Sequence, residues 1–142
     1  MVLIMSFNTP WIKGIGHLAI IIDDLEKGKW FFGEVLQSSF YMYKGEQIMV
    51  EMGSSVFVAK LSKDAVDKTR QVGQFGKQVL DHYGFQAESP SQVDAFCQRM
   101  QSFQLEIVRE PHDRSDGRAF YFRDPFGNLV EYFWYNRKKD HE

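Results

Sequence analysis

This 142-residue sequence predicts an α+β fold made of two tandem βαβββ modules. Their strands would form a curved mixed sheet around a central cavity, with the helices outside. Three observations carry the prediction. A strand-like run opens each half, "GIGHLAIII" from Gly14 and "QVLDHYGFQAE" from Gln78. Each run is followed by apolar residues at helical spacing, then by three short strand candidates parted by turn residues. A polar segment with two glycines separates the halves, and the pattern restarts after it. The whole reads as one domain: a first module at about 13–61, a linker at 62–77, a second module at about 78–135, and a charged tail at 136–142.

In the first module, Asp23 or Asp24 can cap a helix whose apolar stripe is Leu25, Trp30, Phe31, Val35 and Leu36. The strands "SSFYMYK", "EQIMVEM" and "SVFVAKL" follow, with Gly45 and the Gly53–Ser55 stretch in the turns. In the second module, Ser89 and Pro90 start a helix with Val93, Phe96, Cys97 and Met100 on one side. Then come "QLEIVRE", a polar loop "PHDRSDG", "RAFYFRD", a tight turn at "PFGN", and "LVEYFWY".

Composition removes several function classes. Hydrophobic residues make up 44% and charged residues 25%, a globular balance. A net charge of −2 and a pI near 6.1 give no basis for a nucleic-acid partner. The single cysteine, Cys97, allows no disulfide within the chain and fits a reducing compartment. "MVLIMSF" is too short for a signal h-region, and nothing approaches the roughly 18 apolar residues of a membrane span. A cytoplasmic protein without membrane contact is expected.

One residue stands out chemically. Glu131 lies inside the apolar run "LVEYFWY", where an unpaired carboxylate costs several kcal/mol. His17 and His82 occupy equivalent places in the opening strands of the two modules. If the modules pair about a pseudo-twofold axis, the two histidines converge and Glu131 joins them from the neighbouring strand. Two imidazoles and one carboxylate suit one divalent ion per chain, Zn, Mn, Ni or Fe, with coordination positions left open. Strand alternation puts Ile15, His17, Ala19 and Ile21 on one face, His82, Gly84 and Gln86 on a second, and Glu131, Phe133 and Tyr135 on a third. Ala19 and Gly84 are small, leaving room above the ion. Aligning "GSSVF" with "GNLVE" sets Glu131 against Phe57 of the first module. His112 and His141 fall in a polar loop and the tail, and read as surface residues.

The tandem plan, with "GIGHLAIIIDDLEKGKWFFGEVL", "DHYGFQAE" and "AFYFRDPFGNLVEYF", resembles the vicinal oxygen chelate superfamily from about Lys13 to Tyr135. That group includes glyoxalase I, fosfomycin-resistance enzymes, extradiol dioxygenases and bleomycin-binding proteins. The resemblance implies metal ligands on the first strand of each module and the last strand of the second, which are His17, His82 and Glu131. It implies a divalent ion acting as Lewis acid on a small oxygen-rich substrate, in lyase, isomerase or thiol/epoxide transferase chemistry. It also implies a homodimer, sometimes with exchanged halves.

Within the group, glyoxalase I-like enzymes use a fourth carboxylate near the place of Phe57, so a true glyoxalase I is disfavoured. The fosfomycin-type hairpin matches "YFRDPFGN" and brings Tyr121 forward as general acid or hydrogen-bond donor beside Glu131. Ala19 and Asn128-Leu129 depart from that type's pocket. An Fe(II) extradiol dioxygenase fits the ligand set but needs a base histidine, for which His112 is the candidate. A non-catalytic bleomycin-type binding protein would use an aromatic groove. Phe57, Arg123 and Phe133 are the expected substrate contacts: Phe57 at the slot without a carboxylate, Arg123 by sharing a face with Tyr121, and Phe133 by sharing one with Glu131.

Overall fold

The computed structural model describes residues 15–62 and 80–136. Apart from Ser62 and Asn136, the expected linker and tail lie outside the described residues. The first module runs β1 (His17–Ile22), α1 (Leu25–Lys29) continuing into a π-helical stretch (Trp30–Val35), β2 (Phe40–Tyr43), β3 (Gln47–Met52) and β4 (Ser55–Leu61). Of the two candidate caps, Asp24 takes the position, accepting the Lys27 amide at 3.0 Å. The second module runs β5 (Tyr83–Gln86), α2 (Pro90–Ser102), β6 (Ile107–Arg114), β7 (Gly117–Arg123) and β8 (Leu129–Tyr135). Ser89 caps α2 by accepting the Gln92 amide, and Pro90 fills the first turn, where a missing N–H costs nothing.

Each module forms its own four-stranded sheet, ordered β1-β4-β3-β2 in the first and β5-β8-β7-β6 in the second. The first strand of each module runs parallel to its last, and the other pairs are antiparallel. The two modules therefore share one topology, as the sequence repeat requires.

One continuous core joins them. Ile20, Ile22, Phe31, Phe32 and Val35 of the first module pack in one cluster with Val93, Met100, Phe120, Phe122 and Val130 of the second. Burying each such side chain contributes about 1.5–3 kcal/mol. Arg99 on α2 donates to the Val35 carbonyl at 3.0 Å, and the Phe57 ring meets the Tyr83 ring at 4.9 Å. Each sheet thus turns one face to helix and core.

Two sequence expectations shift. The expected loop "PHDRSDG" is in its first part strand: β6 continues to Arg114, through two register irregularities against β7. The repeat alignment is also displaced by one residue. Ala19, two residues after His17, pairs with Val58, whereas Gly84, two residues after His82, pairs with Glu131. The counterpart of Glu131 is therefore Val58, which like Phe57 carries no ligand atom. Phe57 itself faces the core at 5% exposure.

Candidate metal site

The site is built on the β7–β8 turn. Asp124 accepts the Phe126 amide (2.9 Å), the Asn128 amide (2.9 Å), the Asn128 side-chain N–H (3.0 Å) and the Tyr83 hydroxyl (2.8 Å). Its carboxylate therefore fixes the tight turn and ties it to β5. With β5 held parallel to β8, His82 stands just before its strand on the face that carries Glu131.

Glu131 is 7% exposed, and each of its oxygens meets a nitrogen donor. Oε2 lies 3.1 Å from His82 Nε2, and Oε1 accepts Arg114 Nη1 at 2.5 Å. Behind the histidine, Asp81 Oδ2 sits 2.5 Å from Nδ1. Behind the arginine, Asp116 takes Nε and Nη2 at 3.0 and 3.1 Å. Burial pushes the Glu131 carboxyl up, but the His82 bond and the Arg114 charge outweigh it and hold the group below its ordinary range. His82 is raised by its bond to Glu131, against the lowering effect of burial, with Asp81 adding to the rise. The two shifts share one cause, since each group favours the charged form of the other.

Tyr121 sits opposite Glu131 on β7, and its ring is 5.8 Å from the His82 ring. Burial raises its hydroxyl, and the charge of Glu131 and a hydrogen bond to it raise it further. Against its other side His112 stacks at 6.3 Å and 13°. The extension of β6 is what brings His112 here from its expected surface position. Its Nδ1 donates to the Glu110 carbonyl at 2.9 Å, because a carbonyl can only accept. The neutral ring therefore keeps its lone pair on Nε2.

His17 is exposed on β1 and opens onto a cavity of about 450 Å³ lined by Ala19, Gln47, Met49, Val58 and Lys60. The structure brings His82, Glu131 and Tyr121 together but does not bring His17 to them. Among the described residues no group of three or more His, Cys, Asp or Glu side chains could hold a metal within one chain. The physical reason is the division into two sheets joined through their core faces.

The expected substrate contacts take other roles. Arg123 is 7% exposed and bonded to the Gly127 carbonyl at 3.1 Å, with Glu106 3.4 Å away. Phe133 shares the Glu131 face, but its ring lies where a Gly84 Cβ would meet it at 3.0 Å, so it fills the space expected above Gly84. Phe57 lines a cleft of about 630 Å³ with Leu18, Met52 and Phe85. In the sequence Arg114 is one of three arginines, with Arg118 and Arg123, close together around the second module's polar loop and the strand after it. The signal that could have found it is the burial of Glu131, which demands a cation.

Two βαβββ modules, each with its first strand parallel to its last, define the vicinal oxygen chelate class of fold. The chain belongs to the Glyoxalase/Bleomycin resistance protein/Dioxygenase superfamily, whose family model matches residues 14–132. It is 23% identical over 128 residues to a manganese-dependent 2,3-dihydroxybiphenyl 1,2-dioxygenase of Geobacillus genomosp. 3, covering 89% of this chain but only 38% of that protein. It is 25% identical over 122 residues to the metallothiol transferase FosB of Shouchella clausii, covering 84% of this chain and 79% of that one. The solved structure of the fosfomycin resistance protein FosX from Listeria monocytogenes superposes with a TM-score of 0.71 at 20% identity, covering 90% of this chain and 95% of that one. No helix among the described residues is long and apolar enough to cross a membrane.

Proposed function

We propose that the protein is a metal-dependent enzyme acting on a small oxygen-rich substrate, with one divalent ion held by His82, Glu131 and the His17 of a second copy of the chain. The observation that carries this is the convergence of His82 Nε2 and Glu131 Oε2, 3.1 Å apart, with Asp81 on the other imidazole nitrogen. A carboxylate behind a histidine fixes its tautomer and orients the ring, the support that metal-ligating histidines need. The donor set therefore fits Zn, Mn, Ni or Fe. Relatives point the same way: the Geobacillus dioxygenase is manganese-dependent by name, and FosX has been crystallised with Mn(II).

The ion would supply Lewis acidity to a substrate oxygen, stabilising negative charge as it develops. Tyr121, with its hydroxyl raised and therefore protonated at neutral pH, donates a hydrogen bond or proton at that oxygen. Phe133 and Tyr135, their rings 4.6 Å apart, wall the same face. Thiol/epoxide transferase, lyase or isomerase chemistry is compatible with this arrangement.

A second reading, an extradiol-type dioxygenase with iron or manganese, is favoured by one observation. His112 is on the site face with its Nε2 lone pair available, stacked on Tyr121, where a base for a catechol hydroxyl would stand.

Mixing two inactive variants tests the site. His17→Ala and His82→Ala, each purified without chelator, carry no divalent ion by elemental analysis. Co-refolded in equal amounts, they regain about one ion per four chains, because half of randomly paired dimers contain one intact site. Recovery of nothing would overturn the shared site, and metal-free wild type that takes up no Mn²⁺, Fe²⁺, Ni²⁺ or Zn²⁺ would overturn the enzyme. In metal-loaded wild type, O₂ uptake on catechols selects the dioxygenase, and thiol consumption with an epoxide selects the transferase.

A further inference from the structure

Four arginines of the second module are already committed. Arg99 donates to the carbonyls of Val35 and Glu34, and Arg114 is gripped by Asp116 and Glu131. Arg118 is held by both oxygens of Asp94 (3.1 and 2.7 Å) and by Asp113 (2.9 Å). Arg123 is buried on Gly127 and Glu106. Arg109 differs. It is exposed, and it has no hydrogen bond or ion pair among the described residues.

The irregular pairing of β6 decides where Arg109 points. Ile107 pairs with Phe122 and packs on the core, so strict alternation would turn Arg109 coreward as well. The irregularity between these two residues pairs Arg109 with Tyr121 instead, and Tyr121 in turn pairs with Glu131. Arg109, Tyr121 and Glu131 therefore form one row across the sheet, the outer two about 10 Å apart at two strand spacings. Burial and the Glu131 charge raise the Tyr121 hydroxyl, while the charges of Arg114 and Arg109 lower it, so the Arg109 head lies within electrostatic reach of that hydroxyl. The second irregularity of β6 sets His112 on the same face, stacked on Tyr121. Irregularities of this kind give up ladder pairing to re-aim a side chain, and they recur beside functional sites.

We propose that Arg109 anchors an oxyanion group of the ligand, a phosphonate, phosphate or carboxylate, in its guanidinium fork, with the Tyr121 hydroxyl as a further donor. A guanidinium offers only N–H donors in a planar fork, and two oxygens of such an anion satisfy it bidentately. An anion held at β6 leaves the rest of a small ligand lying over Tyr121 toward Glu131. The proposal rests on the oxygen-rich substrate read above and adds that this substrate is an anion. Capture of the anion itself needs no metal.

The test titrates methylphosphonate and, separately, acetate into metal-stripped wild type, Arg109→Met, Arg109→Lys and Lys44→Met, at neutral pH and constant ionic strength, followed by amide NMR shifts. At least one of the two anions binds wild type saturably and shifts amides of β6 and β7; the tighter of the two assigns the group as tetrahedral or planar. Arg109→Met weakens that binding at least about tenfold, the loss of a charge-assisted pair. Arg109→Lys keeps the charge without the fork and falls between them. Lys44→Met removes an exposed cation of the first module and leaves binding unchanged. No saturable binding by wild type, or equal binding by Arg109→Met, would overturn the anchor. So would an equal loss in Lys44→Met, which would show attraction to net charge alone. Wild type that takes up metal yet ignores both anions faults the anchor and leaves the metal reading in place. Arg109-dependent anion binding in a protein that takes up no metal does the reverse.

Discussion

Glu131→Gln removes one charge while keeping the side chain's shape, so it separates the electrostatics of the site from its packing. In the chain without metal, the change replaces one carboxylate oxygen by an NH₂ group, so of the two bonds, from His82 at 3.1 Å and Arg114 at 2.5 Å, one becomes a bond to a neutral amide oxygen and the other is lost. Bonds to charged groups contribute about 1.5–3 kcal/mol and neutral ones about 0.5–1.5, so the first change costs near 1 kcal/mol and the second about 1.5–3. Both partners have side chains about one third exposed, 32% for His82 and 31% for Arg114, and solvent screening trims the sum. The expected loss is therefore between about 2 and 3 kcal/mol, read as a lower urea midpoint at pH 6 with chelator present and an unchanged slope. The same variant should lose Mn²⁺ affinity by at least about 100-fold in a competition titration, since it removes a ligand rather than a support. Wild-type stability would refute the pairing of Glu131 with His82 and Arg114 in solution. Wild-type metal affinity would refute Glu131 as a ligand, whatever the stability.

The pH dependence of stability follows from the same pair. His82 is raised above its ordinary 6.5, so its contribution is complete below that value and fades as pH rises through the folded value. Glu131 is lowered from its ordinary 4.5, so its contribution is complete above that value and fades as pH falls through the folded one. Metal-free wild type is expected to be most stable between about pH 4.5 and 6.5 as far as this pair contributes; urea midpoints across pH check it, and His82→Gln should flatten the alkaline side. Tyr83→Phe removes one of four donors to Asp124 and should cost about 1 kcal/mol, measured by thermal unfolding, with loosened metal binding because β5 loses its tie to the turn. Gly117→Ala places a Cβ 1.8 Å from the Trp134 carbonyl oxygen, which forces β7 away from β8; a loss of more than about 3 kcal/mol in urea denaturation is expected.

The repeat, the strand alternation and both helix starts were legible because each has a local cause: period two in strands, Ser89–Pro90 and Asp24 at caps, glycine in turns. Glu131 was legible as an anomaly for the same reason, one charge in an apolar period. What escaped was set by pairing between strands. "PHDR" has the composition of a loop, yet β6 keeps its pairing with β7 through two irregularities, and that alone puts His112 and Arg114 on the site face. The one-residue displacement of Phe57 from Val58 has a related cause. The turn before β4 is a short Gly53–Ser54 connection, whereas the turn before β8 is built around Asp124, and a register slip of one residue reverses the face of every side chain. Phe57 consequently belongs to the core that joins the modules.

That core also bears on why a second copy of the chain would complete the site. Turning His17 toward Glu131 within one chain would require the first sheet to rotate away from the second. The rotation would break Phe57 from Tyr83, Arg99 from Val35, and the shared cluster of Phe31, Phe32, Phe120 and Phe122. At about 1.5–3 kcal/mol for each buried aromatic or aliphatic side chain, that loss exceeds the stability of an ordinary domain. The open face of the first sheet meanwhile exposes Ile21 at 51%, Tyr41 at 49% and Tyr43 at 46%, an apolar surface beside His17 that a soluble monomer gains nothing by showing. Association that covers this face would bury apolar area instead of sacrificing it, and would carry a histidine to the His82–Glu131 pair of another copy. Sedimentation of wild type should then give a dimer. Ile21→Glu should shift it toward monomer and remove the bound ion in the same step, although Ile21 is no ligand. A monomeric Ile21→Glu that still holds one ion per chain would show that each chain makes its site alone.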